Sequence, residues 1–189
     1  MGIHGDHGIR RHVVTIDQYH RMGETGVFSP HDRVELIEGE VIDMAPIGSR
    51  HAAYVRKLTK LLSIAVGETA QVSVQNPIQL GTNSEPEPDV ALLRPQQDFY
   101  ADRHPSAADV LLIVEVADTS QRYDREVKLP LYAQHNIPEV WIVDAEGKRI
   151  SIYRSPIGGR YEQHQSFDKP EIVTLSALPS VEIDLTTLL

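Results

Sequence analysis

Cysteine is absent from the 189-residue chain, and aromatic residues are scarce, with one tryptophan and three phenylalanines. Without thiols there is no disulfide, no thiolate zinc site and no cysteine nucleophile, and the composition suits a reducing, cytoplasmic setting. Basic charge is also short: 18 Lys and Arg face 27 Asp and Glu, for a formal net charge of −9. That balance argues against a broad nucleic-acid-binding surface, which needs clustered cations. It leaves room for a local basic groove, or for a carboxylate cluster neutralised by a metal ion. No apolar run approaches the roughly 20 residues that span a bilayer, so no membrane association is expected. No apolar segment follows the basic residues of "MGIHGDHGIRRH", so residues 1–12 read as a mobile tail and not as a signal peptide. Its His4, His7 and His12 could bind metal adventitiously. A phosphate-cradling glycine loop and a Gly-x-Ser-x-Gly elbow are missing too. Gly158-Gly159 reads as a hairpin tip, and Asp118-Thr119-Ser120 as a loop with hydroxyl caps.

What is present is an ordinary globular composition, 41% hydrophobic and 24% charged, on a length that suits one domain over residues 13–189. "VELIEGEVIDM" (34–44) alternates apolar and polar residues around Glu38-Gly39, the pattern of a β-hairpin. Residues 49–66 place Ala52, Val55, Leu58, Leu62 and Ala65 at helical spacing, with Ser49 as N-cap and Gly67 as the stop. "AQVSVQ" and "PIQLG" read as short strands. "DVALLR" (89–94) and "DVLLIVEVAD" (109–118) are nearly continuous aliphatic runs, as in strands covered on both faces. Residues 123–136 read as a helix ended by Asn136, with Pro130 forcing either a late start near Val127 or a kink. A hairpin around Glu146-Gly147 and further short strands follow. The order predicts a mixed α/β (α+β) domain with one central sheet flanked by helices, an N-terminal hairpin and extra C-terminal strands.

Carboxylates sit at odd places in this frame. "NSEPEPDVALL" (83–93) puts Glu85 and Glu87 among prolines and Asp89 at the start of an aliphatic strand. Glu115 interrupts "LLIVEVAD", where a charge must be paired or metal-bound. If the two strands are antiparallel neighbours, the start of one lies beside the end of the other, and Asp89 meets Glu115. Period two would place Leu111, Ile113 and Glu115 on one face. Two such carboxylates repel unless a proton or cation intervenes, and Mg²⁺ suits an all-oxygen site. Lys128, one turn into the next helix, can reach the same cluster and there orient an attacking water or stabilise developing negative charge. Two acids, a metal and a lysine suit phosphodiester hydrolysis. Other roles fit the same residues: Asp89 as a strand-edge turn residue, and Glu115 in a structural ion pair with Lys128 or Arg125. Glu85 and Glu87 read as solvated neighbours. Arg50, Arg56, Lys57 and Lys60 make residues 49–66 the most basic element, fit for a nucleic-acid backbone or for plain solvation. Trp141 and Tyr132 read as core or subunit-interface residues.

Pro88-Asp89, Glu115-Val116 and the downstream Lys128 resemble the PD-(D/E)XK nuclease pattern. The wider text "ELIEGE", "SRHAAYVRKL", "EPEPDVALL" and "LLIVEVADTSQRYDREVKLPLYAQHNIPEVWIVD" is similar to one bacterial branch, the Uma-two family of restriction-endonuclease-like proteins, formerly a domain of unknown function. The resemblance covers residues 13–175 and is most specific over 85–144. It implies a restriction-endonuclease-like core, a Mg²⁺- or Mn²⁺-dependent endonuclease activity on nucleic acid, with DNA the expected substrate, and a homodimer as a common assembly. By it Asp89 and Glu115 are metal ligands, the Val116 carbonyl a third, and Lys128 the catalytic lysine. The superfamily lysine stands two residues after the acid, where this chain has Ala117, so here the lysine has moved to the following helix. The acid that the first helix often supplies is also missing. Glu40 on the hairpin is the expected substitute, with His51 and Glu87 behind it. A catalytically silent domain of the same fold, working as a binding or assembly module, is the competing expectation.

Overall fold

In the computed structural model the described residues are 10–29, 31–117, 121–169 and 171–188. Residues 1–9 of the expected tail and the Asp118-Thr119-Ser120 loop lie outside them. The chain opens with helix α1 (Ile16–Glu24), started by a capping box in which Thr15 accepts from the Gln18 N–H and the Gln18 side chain accepts from the Thr15 N–H. The hairpin β1 (Val34–Ile37) and β2 (Glu40–Asp43) follows, its turn made by Glu38 and Gly39 at φ 50° and 79°. Two consecutive positive φ values give the turn that matches strand twist. A Cβ at position 39 would collide with Val13, so glycine is required there.

Helix α2 (Ser49–Val66) has the predicted bounds, although Gly48 and not Ser49 is its N-cap. It buries Val55, Leu58, Leu62 and Val66, one stripe of a 3.6-residue period, and Gly67 ends it at φ 51°. Then come β3 (Gln71–Ser73), β4 (Val90–Leu93) and β5 (Val110–Ala117). A helical stretch runs through α3 (Gln121–Tyr123), a π-turn segment (Asp124–Lys128) and α4 (Leu129–Gln134), and Asn136 leaves it at φ 58°. Strands β6 (Glu139–Asp144), β7 (Arg149–Ile157) and β8 (Arg160–Phe167) complete a six-stranded sheet in the order β3-β4-β5-β6-β7-β8. Its pairs are antiparallel except β5 with β6, so the sheet is mixed. β9 (Ile172–Thr174) and β10 (Glu182–Asp184) form a separate C-terminal pair. "PIQLG" supplies only isolated bridges at Gln79 and Leu80 instead of a strand. Among the described residues no helix is long and apolar enough to cross a membrane.

Alternation divides the core. Val90 and Leu92 of β4 and Leu112, Val114 and Val116 of β5 pack with α2 and with Val173 and Ile183 of the C-terminal pair. Ala91, Leu93 and Ile113 face the other way, against Leu131 and Tyr132 of α4, Ile37 of the hairpin, and Ile78 and Leu80. One expectation fails here. Leu111 does not share a face with Ile113 but joins the α2 cluster. The pairing shifts between Leu92 and Leu93, whose partners are Leu112 and Val110, so Leu111 is the extra residue of a β-bulge. Beyond the bulge the period is regular, and Glu115 shares its face with Ile113, toward α4 and the hairpin. Trp141 and Tyr132 are fully buried, as core residues should be.

Candidate active site

The proline-rich segment explains how Asp89 is placed. The carbonyls of Pro86 and Pro88 accept from the N–H groups of Ile78 and Gln75 at 3.0 and 3.1 Å. Prolines have no N–H to leave unpaired, so Pro86 and Pro88 need partners only for their carbonyls. The segment thus runs beside residues 75–80 and enters the sheet at Asp89. Val90 pairs with Val114 in the antiparallel ladder, which sets the start of β4 beside the end of β5. The Asp89 N–H donates to Glu115 Oε2 at 3.4 Å, and the Val116 N–H donates to Asp89 Oδ2 at 2.8 Å. His51 Nε2, on the first turn of α2, lies 2.9 Å from the same Oδ2, and Gln75 donates to Oδ1 at 3.3 Å.

The hairpin and the π-turn close the other side. Lys128 Nζ lies 3.0 Å from Glu35 Oε2 and 3.4 Å from Glu115 Oε1. The Tyr132 hydroxyl donates to Glu115 Oε1 at 2.6 Å, and the Glu87 N–H donates to Glu35 Oε2 at 3.3 Å. The Leu129 N–H bonds the Asp124 carbonyl, five residues back. Pro130 follows at once and its ring would crowd a regular preceding turn, which the wider turn relieves. Lys128 and Tyr132, four residues apart, then lie on one helix face over Glu115.

Burial decides the electrostatics. The side chains of Glu35, Glu115 and Lys128 are 3%, 5% and 6% exposed, so water screens none of them well. Three carboxylates, Glu35, Glu115 and Asp124, act on the Lys128 ammonium, and Asp89 meets the His51 imidazole. Burial pushes the Glu115 carboxyl up to about 8; Lys128 opposes this, Asp124 and Asp89 add to it, and the Tyr132 hydrogen bond opposes it. Burial alone would lower the Lys128 ammonium, but Glu115, Glu35 and Asp124 outweigh it and hold the group above its ordinary value. Lys128 is therefore a fixed cation and not a base. Burial also raises Glu87, partly offset by Arg33 and reinforced by Glu35. By contrast Glu139, equally buried, is matched by donors from Trp141, Arg154 and the Ser176 N–H, and is a closed structural site.

The cluster opens into a cleft of about 430 Å³ lined by Arg33, Glu35, His51, Tyr123, Asp124 and Lys128. The Tyr123 hydroxyl is buried there with no hydrogen-bond partner among the described residues. Excess carboxylate, an all-oxygen donor set and an orphaned hydroxyl are features that a hard divalent cation with its waters would satisfy. The N–H of Val116 meets Asp89, and in a strand a residue's N–H and C=O share an edge, so the Val116 carbonyl belongs to the same side of the sheet.

Of the residues expected at the site, Asp89, Glu115, Val116, Lys128 and His51 are brought together, and Glu87 lies at its rim, 4.0 Å from Arg33. Glu40 is not: it is exposed and pairs with Arg11 at 2.9 Å. The hairpin register pairs Glu35 with Ile42 and Ile37 with Glu40, so both glutamates face the same way. Glu40 sits two residues closer to the turn, about 7 Å away along the strand. Glu35 is the hairpin acid that reaches the cluster, 3.0 Å from Lys128. Its sequence signal, an acid between Val34 and Leu36, is the one that marked Glu115. Glu85, expected to be solvated, is buried against His20. Arg125 is exposed, and Lys128 makes the ion pair to Glu115.

A family model described as "Uma2: Putative restriction endonuclease" matches residues 16–186. No curated protein matches the chain. Among solved structures the fold is similar to that of "a putative nuclease belonging to DUF820 from Anabaena variabilis". The two share 17% sequence identity at a TM-score of 0.74, over 93% of this chain and 97% of that one. At that identity the likeness speaks for the fold alone, a mixed sheet flanked by helices.

Proposed function

The chain belongs to the Uma2 family, and from that premise we propose that it is a metal-dependent nuclease that hydrolyses phosphodiester bonds in nucleic acid, with DNA as substrate. The observation that carries this reading is the convergence of Glu35, Asp89, Glu115 and Lys128 from a hairpin, two strands and a helical turn, with Glu35 and Lys128 on the wall of a cleft. A stability role alone would not need three carboxylates around one lysine beside open space.

In this reading Asp89 and Glu115 would hold Mg²⁺ or Mn²⁺, with the Val116 carbonyl as a third ligand. A metal ion bound there would polarise the phosphate and make water a better nucleophile. Lys128, kept protonated, stabilises the negative charge that develops on the phosphoryl oxygens and orients the attacking water. Glu35 holds Lys128 in place. Tyr132 fixes the Glu115 carboxylate, and His51 and Gln75 fix that of Asp89. Arg33 on the cleft wall, with Arg56 and Lys60 on the adjoining groove, gives a short cationic path for a nucleic-acid backbone on an otherwise acidic protein.

Calorimetric titration with Mg²⁺ and Mn²⁺ tests the reading. The wild type is expected to bind, and Asp89→Ala to lose that binding while melting normally. One observation favours a catalytically silent module instead: Lys128 already contacts two of the acids directly and, with Glu115 protonated, balances them without a metal. A wild type that binds neither ion would sink the nuclease reading and leave that one.

A further inference from the structure

Glu85, whose backbone bridges to Leu36 of the hairpin, belongs to a second group of side chains able to ligate a metal. His20 of α1, Glu85 and His104 each offer one ligand atom, and no two of these atoms are more than 4.8 Å apart. His20 Nε2 lies 2.8 and 3.0 Å from the two Glu85 oxygens, and the imidazoles of His20 and His104 meet edge to face at 6.0 Å. Around a tetrahedral zinc ion, with bonds of about 2.0 Å, ligand atoms lie about 3.3 Å apart. The His20–Glu85 pair is already near that spacing, and a small movement of one imidazole completes it. Gln79 donates to Glu85 Oε2 at 3.0 Å and orients the carboxylate from outside the triad.

An ordinary His–Glu ion pair would explain two of these residues but not the third. Each segment is held by bonds that do not involve the triad. α1 is tied down by the Ile16 N–H to the Thr82 carbonyl at 2.9 Å and by the Tyr19 hydroxyl to the Val34 carbonyl at 2.8 Å. Glu85 exchanges backbone bonds with Leu36. The His104 loop is fixed by the Gln79 N–H to the Pro105 carbonyl at 2.7 Å, and by the Asp109 carboxylate, which takes Arg103 and the Ser106 N–H and hydroxyl. Three segments distant in sequence thus present two imidazoles and a buried carboxylate to one point. Two imidazoles with one carboxylate suit Zn²⁺ better than Mg²⁺, which prefers oxygen alone.

We propose that His20, Glu85 and His104 form a Zn²⁺ site, distinct from the carboxylate cleft, that fastens α1 and the 103–109 loop to the hairpin layer and leaves one coordination position for water. The test is calorimetric titration of the full-length protein with Zn²⁺, with Mg²⁺ kept in excess, alongside melting curves with and without Zn²⁺. Wild type, Asp89→Ala, and a tail variant with His4, His7 and His12 all replaced by Ala should bind one Zn²⁺ per chain with equal affinity and melt higher with it. His104→Ala and His104→Gln should lose more than the roughly tenfold affinity that even an outer-sphere substitution costs, together with the melting shift. Wild type that does not bind Zn²⁺, a His104 variant that binds as wild type does, or binding lost with the tail histidines or with Asp89 would each overturn the proposal.

Discussion

Lys128 carries its charge into a place that water hardly reaches, and it is tolerated there because Glu35 and Glu115 meet it at 3.0 and 3.4 Å. Removing it would leave the buried Glu35 carboxylate without its cation, and Glu115 too wherever it is ionised. Lys128→Ala is therefore expected to cost about 3–5 kcal/mol of unfolding free energy, measured by urea denaturation. Glu115 gives a second test through pH. Its carboxyl is raised from 4.5 to about 8 in the folded protein, first by burial. The folded state then holds a proton that the unfolded chain releases, so the contribution to stability is complete below pH 4.5 and lost as pH rises toward 8. In chelator-containing buffer the wild-type melting temperature should fall across that window relative to Glu115→Gln. Parallel melting profiles for the two proteins would contradict the account.

The hairpin shows how an element selects between two glutamates that share a face. Glu35→Gln removes one partner of Lys128 and is expected to cost about 1–3 kcal/mol and to weaken divalent-metal binding. Glu40→Gln breaks only an exposed pair with Arg11 and should change stability by no more than about 0.5 kcal/mol and leave metal binding alone. Equal effects of the two would sink the assignment. Which of them would be used could not be read from alternation, because the choice depends on the bridge between Leu36 and Glu85, a long-range contact. Much else was legible. Aliphatic runs marked β4 and β5, helical spacing marked α2, and a lone acid in each strand context marked Asp89 and Glu115. Helix α1 was missed because it buries little besides Ile16, although its Thr15 and Gln18 capping box was there to be read. The face of Leu111 was misjudged because a β-bulge leaves no mark in a wholly apolar run. His51 was legible only as a candidate, since its distance to Asp89 is set by how α2 packs on the sheet.

Across the whole molecule, an acidic protein of net charge −9 would have to bind a polyanion through a small cationic path. Arg33 lines the cleft of the carboxylate cluster, and Arg56 and Lys60 line the groove that shares Ile47 with it. With so few phosphate contacts, affinity for nucleic acid should depend only weakly on salt compared with proteins that use broad basic surfaces. The mixed sheet makes this arrangement possible: the start of β4 and the end of β5 lie side by side, with α2, the hairpin and the π-turn each adding a side chain there. The most direct measurement is cleavage of supercoiled DNA in Mg²⁺ by the wild type and by Asp89→Asn at equal, verified folding. The wild type should cleave the DNA, a chelator should abolish that cleavage, and Asp89→Asn should slow it by about two orders of magnitude or more. A folded wild type that leaves the DNA intact in both Mg²⁺ and Mn²⁺, or an Asp89→Asn variant that cuts as fast, would contradict the nuclease reading.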